Sequence, residues 1–278
     1  DRLTEELQQE FPLPVDVAGR SIKEKTSSST LAWKHYLGGV DHLNANQFAE
    51  AVEELTDAVH IDPKFGGAHY QLGLATWWLY SDIGAGREHI VHFLDEKLYT
   101  TEQEKEKAAA MLLVIDARFA EALPVFEKLT HAYPDDKYIW YGLGEAQFHF
   151  MGESKMHESL ASFERAAALD PDFLLPYWHI FSVLWNEERI DEAIARADSQ
   201  LARHPDSPLW HRFRAASVAQ TGDVPRARAA LAEAEKYSTS AEDRRDLYKL
   251  VANAWGSLGY ANLGEEALEK ALEADPGH

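Results

Sequence analysis

The 278-residue sequence predicts an all-α array of about seven stacked helical hairpins. Three observations carry this. Prolines that close polar turns recur at a fixed interval, small and large residues recur at fixed offsets before them, and the runs of alternating apolar residues from which half-buried strands are built are absent. The prolines are those of Asp62-Pro63, Tyr133-Pro134, Asp170-Pro171, His204-Pro205 and Asp275-Pro276, separated by 71, 37, 34 and 71 residues. A unit of about 34 residues accounts for all four intervals, with three-residue loop insertions in the longer ones.

The second helix of each unit is read backwards from its proline. Five residues before lie Ala58, Leu129, Ala166, Gln200 and Ala271; eight before lie Leu55, Phe126, Phe163, Ala197 and Leu268; twelve before lie Ala51, Ala122, Ser159, Ala193 and Gly264. Mostly small residues seven apart with a larger one between them form one stripe of a helix, and small residues let two helix backbones approach closely. The first helix of each unit is a second amphipathic segment, such as His69-Tyr70-Gln71-Leu72-Gly73 or Trp140-Tyr141-Gly142-Leu143-Gly144. Gly222-Asp223 and Gly259-Tyr260 mark the joint between the two helices of a unit, as glycine suits a helix C-terminus. The prolines then stop each second helix, lacking the N–H that would continue it.

Counted this way, the units are about 32–65, 66–100, 103–136, 137–173, 174–207, 208–241 and 245–278. The second departs most: its second helix, about Gly86 to Leu98, has no closing proline, and Gly84-Ala85-Gly86 reads as a turn before it. Residues 1–30 differ from the rest. Arg2 to Glu10 reads as a short helix, Phe11-Pro12-Leu13-Pro14 breaks it, and Thr26 to Thr30 is linker and cap material; the stretch reads as an N-terminal helix and linker, the tail of an upstream domain.

Composition narrows the function. There are 27 Lys and Arg against 47 Asp and Glu, a net charge of −20, so a phosphate backbone would be repelled and no nucleic-acid partner is expected. There are no cysteines, which removes thiol catalysis, Cys-ligated zinc and iron–sulfur clusters. No apolar run is long enough to insert in a bilayer, so a soluble segment, cytoplasmic or periplasmic, is expected. No His-Glu-x-x-His, Gly-x-Ser-x-Gly or phosphate-binding loop appears; no cofactor and no enzyme activity are expected. His89-x-x-His92 beside Glu88 has the spacing to present two imidazoles together, yet in a chain with 13 His it reads as a solvated helix face, and no metal site is expected.

These motifs together resemble the tetratricopeptide repeat family. Phe48-Ala49-Glu50-Ala51 through Ala58 to Asp62-Pro63, Leu160 through Ala166 to Asp170-Pro171, and Gly259 through Ala271 to Pro276 match the family's second helix. The resemblance covers everything after about residue 31. It implies a right-handed α-solenoid whose concave face is lined by the first helix of each unit. Carried onto this sequence, the groove-facing places hold Trp33, Tyr36, Tyr70, Trp77, Trp78, Tyr141, Phe148, His149, Trp178, His179, Trp185, Arg212 and Phe213, of which Tyr70, Trp77, Trp78, Tyr141, Phe148, His149, Trp178 and Trp185 are expected to bind the partner. The pairs Tyr70/Trp77, Tyr141/Phe148 and Trp178/Trp185 are two helical turns apart and share a face. The implied function is a non-enzymatic scaffold that binds a peptide or partner segment in an aromatic-lined groove. The alternative is a sensory or regulatory ligand-binding module of a larger bacterial signalling protein, since in the bacterial proteins it resembles such arrays often follow a kinase, cyclase or DNA-binding domain. The family's carboxylate clamp does not carry over: the first unit holds Tyr36 and Val40 there, and Lys249 and Asn253 in the last supply half of it.

Overall fold

The computed structural model describes residues 27–80, 83–94, 98, 100–150 and 153–276; the short N-terminal helix read from the sequence lies outside them. Among the described residues there are fourteen α-helices and no strand, and no helix is long and apolar enough to cross a membrane. The chain divides into two compact units, Asp1–Tyr177 and Trp178–His278.

The first unit holds α1 (Thr30–Asn44), α2 (Phe48–Ile61), α3 (Gly66–Tyr80), α4 (Ile83–Phe93), α5 (Glu102–Ile115), α6 (Phe119–Ala132), α7 (Lys137–His149) and α8 (Glu153–Leu169). They pack as consecutive hairpins, α1 with α2, α3 with α4, α5 with α6 and α7 with α8, and each hairpin packs on the next. The division falls within α9 (Leu175–Asn186), and the second unit continues through α10 (Ile190–Leu201), α11 (Pro208–Ala219), α12 (Val224–Tyr237), α13 (Ala241–Ser257) and α14 (Ala261–Ala274). There α11 pairs with α12 and α13 with α14.

Local chemistry sets the helix ends. The Thr101 hydroxyl accepts from the Glu104 amide while the Glu104 carboxylate accepts from the Thr101 amide, a capping box that satisfies two orphan donors of α5. Asp136 caps α7 through the amides of Tyr138 and Ile139. Within the hairpins the chain turns through one left-handed residue: Asn46, Ala117, Glu188, Gly222 and Gly259 have φ of 61, 55, 56, 74 and 79°. At four of these turns the following amide reaches back five residues, Gln47 to His42, Arg118 to Leu113, Arg189 to Leu184 and Tyr260 to Trp255, at 2.7–2.9 Å. This is the Schellman closure of a helix. Only two of the five positions are glycine, so the sequence displays the joint at Gly222 and Gly259 and conceals it elsewhere.

At Leu55, Phe126 and Phe163 the residue eight before the proline fills a notch in a first helix; Leu268, read into the same stripe, is instead 46% exposed on the last helix. A Cβ on Gly144 would stand 2.6 Å from the Phe163 ring, and one on Gly142 would stand 2.3 Å from the Phe126 ring. Phe126 and Phe163 are fully buried, as are Ala58 and Ala166 at the small positions. The second hairpin corrects the sequence reading. Gly84 to Gly86 is not a turn but the first turn of α4, which starts at Ile83 and ends at Phe93 rather than Leu98. Gly86 is helical because it is a contact point: a Cβ there would lie 2.8 Å from the Gly73 carbonyl oxygen, and one on Gly73 would lie 2.9 Å from that of Gly86.

Candidate functional site

The aromatics expected to line a groove fall into two sets, one in each unit. In the first unit the inner face is filled by its own side chains. Lys107 on α5 is buried, with Nζ 3.0 Å from Asp136 Oδ2, and its cation lies 5.8 and 5.4 Å from the ring centres of Tyr70 and Tyr138. Gln103 donates to the same carboxylate oxygen at 3.1 Å. Asn44, at the end of α1, reaches across to the fourth hairpin: its side-chain oxygen accepts from the Tyr138 hydroxyl at 2.9 Å and its carbonyl from the Leu174 amide at 2.7 Å. Phe173 packs against Tyr138 and Tyr141.

Tyr70 and Tyr141 are therefore core and not surface, 4% and 1% exposed. Sequence reasoning placed them on the inner face; contacts between α1 and α7, 94 residues apart, then cover that face, and no local pattern announces them. Burial first, then the Asp136 charge, holds the Tyr70 phenol well above its ordinary pKa; burial first, then the Glu145 charge, does the same to Tyr141. Tyr36 is pushed up to about 12, by burial and then by the Glu104 charge. All three hydroxyls stay protonated at neutral pH.

Trp77 and Trp78 are half-buried, 5.0 Å apart, with Phe48 of α2 stacked on Trp78 at 6.0 Å. Phe148 is half-buried against Phe163 and His149. His149 is exposed, lies over Phe119 at 5.6 Å and has Nε2 3.5 Å from the fully buried Glu145 carboxylate.

In the second unit the aromatic base is buried, with Phe181, Phe213 and Trp210 at 0, 1 and 3% exposure, and only its rim reaches solvent. Phe181 and Phe213 stack almost parallel, 4.3 Å apart with 5° between their planes. Around Phe213 stand Trp178, Trp185 and Trp210 at 6.0–6.2 Å. Trp185 is half-buried and fixed by its indole N–H, which donates to Ser217 Oγ at 3.0 Å; that hydroxyl in turn donates to the Phe213 carbonyl. Trp178 sits on this base with 45% of its surface exposed. On the same helix as Phe213, the Arg212 guanidinium donates to Asp246 of α13 at 2.9 Å. Phe181, Trp210 and Ser217 are the members that the sequence reading missed. Phe181 was legible in principle, three residues after Trp178 and four before Trp185, hence on one face of α9. Ser217 had no signal.

This arrangement holds no nucleophile activated by a base. What it can do is bind: a large exposed ring on a rigid aromatic base takes an apolar side chain at little ordering cost.

A family model described as tetratricopeptide repeat matches residues 107–172 and 180–241. No curated protein matches the sequence. Among solved structures, a tetratricopeptide repeat protein from Parabacteroides merdae ATCC 43184 is similar over 89% of this chain and 94% of its own, with 14% identity and a TM-score of 0.51. The Cut9-Hcn1 hetero-tetramer of APC/C is similar over 94% of this chain and 49% of that chain, with 16% identity and a TM-score of 0.61. The Rap conjugation gene regulator of the plasmid pLS20, in complex with the Phr* peptide, is similar over 99% of this chain and 82% of that chain, with 16% identity and a TM-score of 0.55. At these identities the likeness is one of fold.

Proposed function

As the chain belongs to the tetratricopeptide repeat family, we propose that it is a non-enzymatic protein-interaction scaffold that takes a peptide or partner segment on the aromatic platform of its second unit. The observation that carries this is Trp178, an indole 45% exposed and packed against Phe213 of the stacked Phe181–Phe213 pair. A large ring left half in water is a hot-spot residue awaiting its partner. Trp185 supports it, held by Ser217 rather than lost in the core. In the first unit, Trp77, Trp78, Phe148 and His149 keep accessible surface of their own, whereas Tyr70 and Tyr141 are buried. The Rap–Phr* complex supports the class of ligand, since a protein of similar fold is in complex with a peptide.

Burying an aromatic side chain contributes roughly 1.5–3 kcal/mol, so Trp178 with two further anchors reaches about micromolar affinity once association costs are met. The test is a peptide selected from a displayed library against the whole chain. Trp178→Ala with Trp185→Ala should weaken it by at least roughly tenfold. Unchanged affinity in a folded double variant would remove the site from this platform.

A further inference from the structure

His69 is 5% exposed, and one of its ring nitrogens is accounted for: Nε2 lies 3.0 Å from the Pro63 carbonyl oxygen. A carbonyl only accepts, so Nε2 carries the hydrogen and Nδ1 presents a bare lone pair. That Nδ1 is buried and has no hydrogen-bond partner among the described residues. Beside the His69 ring stand two more imidazoles. The His92 ring centre is 4.5 Å from that of His69, nearly edge-on, and the His89 ring centre is 6.4 Å away. His89 and His92 are three residues apart on α4 and share one of its faces.

We propose that His69, His89 and His92 form a site for a divalent transition-metal ion of the zinc, cobalt, nickel or copper class. Imidazole nitrogens suit these ions, whereas calcium and magnesium require oxygen ligands. Two imidazoles bound tetrahedrally through nitrogens at about 2.0–2.1 Å have ring centres on the order of 5 Å apart, and the two observed separations bracket that value. The N–H of a metal-binding histidine is ordinarily held by a carbonyl or carboxylate, which fixes the tautomer; the Pro63 carbonyl does this for His69. The frame is rigid, because α3 and α4 meet backbone to backbone at Gly73 and Gly86. The ring nitrogens are not converged as placed, so chelation adds a rotation of the half-buried His89 and the exposed His92, neither of which is tied by a side-chain hydrogen bond among the described residues. The solvent side of His92 leaves the fourth position to water. Bound metal would tie α3 to α4 in the hairpin that lacks a closing proline.

The experiment is titration of the whole chain with Co2+ followed by its visible absorption, and with Zn2+ followed by calorimetry and by the melting temperature. We expect one equivalent to bind at this site, the visible band of a four-coordinate cobalt ion, and a rise in melting temperature. His89→Ala with His92→Ala should weaken binding by roughly tenfold or more and abolish the thermal shift, with the helical circular dichroism retained. His149→Ala should leave both in place. Long-range nitrogen–proton NMR of the unsubstituted chain reads His69 without any variant, and should show Nε2–H in both states and a shift at Nδ1 on adding Zn2+. No binding at stoichiometric metal, binding unaffected by the double substitution, or an unmoved His69 Nδ1 resonance would overturn the proposal.

Discussion

At the scale of single residues, two kinds of position are tuned by backbone geometry and one by burial. Ala117 and Glu188 hold left-handed conformations, which cost an L-residue with a Cβ roughly 1–2 kcal/mol. Their counterparts Gly222 and Gly259 avoid that cost. Glu188→Gly should therefore stabilise the chain by about 0.5–1 kcal/mol, net of the added freedom of the unfolded chain, read as a higher urea midpoint. Gly144 is the opposite case. Its missing Cβ is the space that the Phe163 ring occupies, so Gly144→Ala should overpack and cost roughly 1–3 kcal/mol, as should Ala166→Leu at the fully buried small position. His69 sets a pH dependence. Burial, with His92 and His89 adding, lowers its pKa below the ordinary 6.5, and burial lowers that of His89. The unfolded chain then binds protons that the folded chain refuses. Stability is fully present above about pH 7 and declines as pH falls through the unfolded value toward the lowered folded ones. Denaturation midpoints measured from pH 7.5 to 5.5 should fall, and less steeply in His69→Gln.

At the scale of elements, each helix is short and is held by its ends and one buried stripe. The ends of α5 illustrate the first. Thr101 and Glu104 cap each other's amides, and Thr101→Ala should cost about 1 kcal/mol, seen as a lowered midpoint with unchanged helical content. The stripe is what the repeat arithmetic reads: residues five, eight and twelve before each proline point inward at α2, α6 and α8, where Ala51, Leu55, Ala58, Ala122, Phe126, Leu129, Ser159, Phe163 and Ala166 are all buried. The arithmetic falters at α4. With no proline to stop it and glycines at its start, its boundaries were misplaced at both ends, because Gly86 serves a helix contact rather than a turn.

At the scale of the whole molecule, the −20 charge repels itself at low ionic strength. Exposed ion pairs such as Arg118–Glu121 are each worth little and are screened as well. Raising salt from about 0.05 to about 0.5 M should therefore raise the melting temperature, and a fall would show that ion-pair networks outweigh the acidic excess. The helical class, the interval, the paired helices and the small residues that meet were all legible from residue pattern, because these depend on contacts within a hairpin or between neighbouring hairpins, which repeat. The same pattern also brought Tyr141 and Trp178 alike to the inner faces of first helices. Long-range packing makes one core and leaves the other at the surface. Tyr141 is covered because Asn44 and Phe173 close the inner face of the first unit, a contact between residues far apart in the chain that no period encodes. Likewise the sequence offered His89 and His92 as a bare pair, and the crossing of α3 over α4 supplied the third imidazole and its buried lone pair.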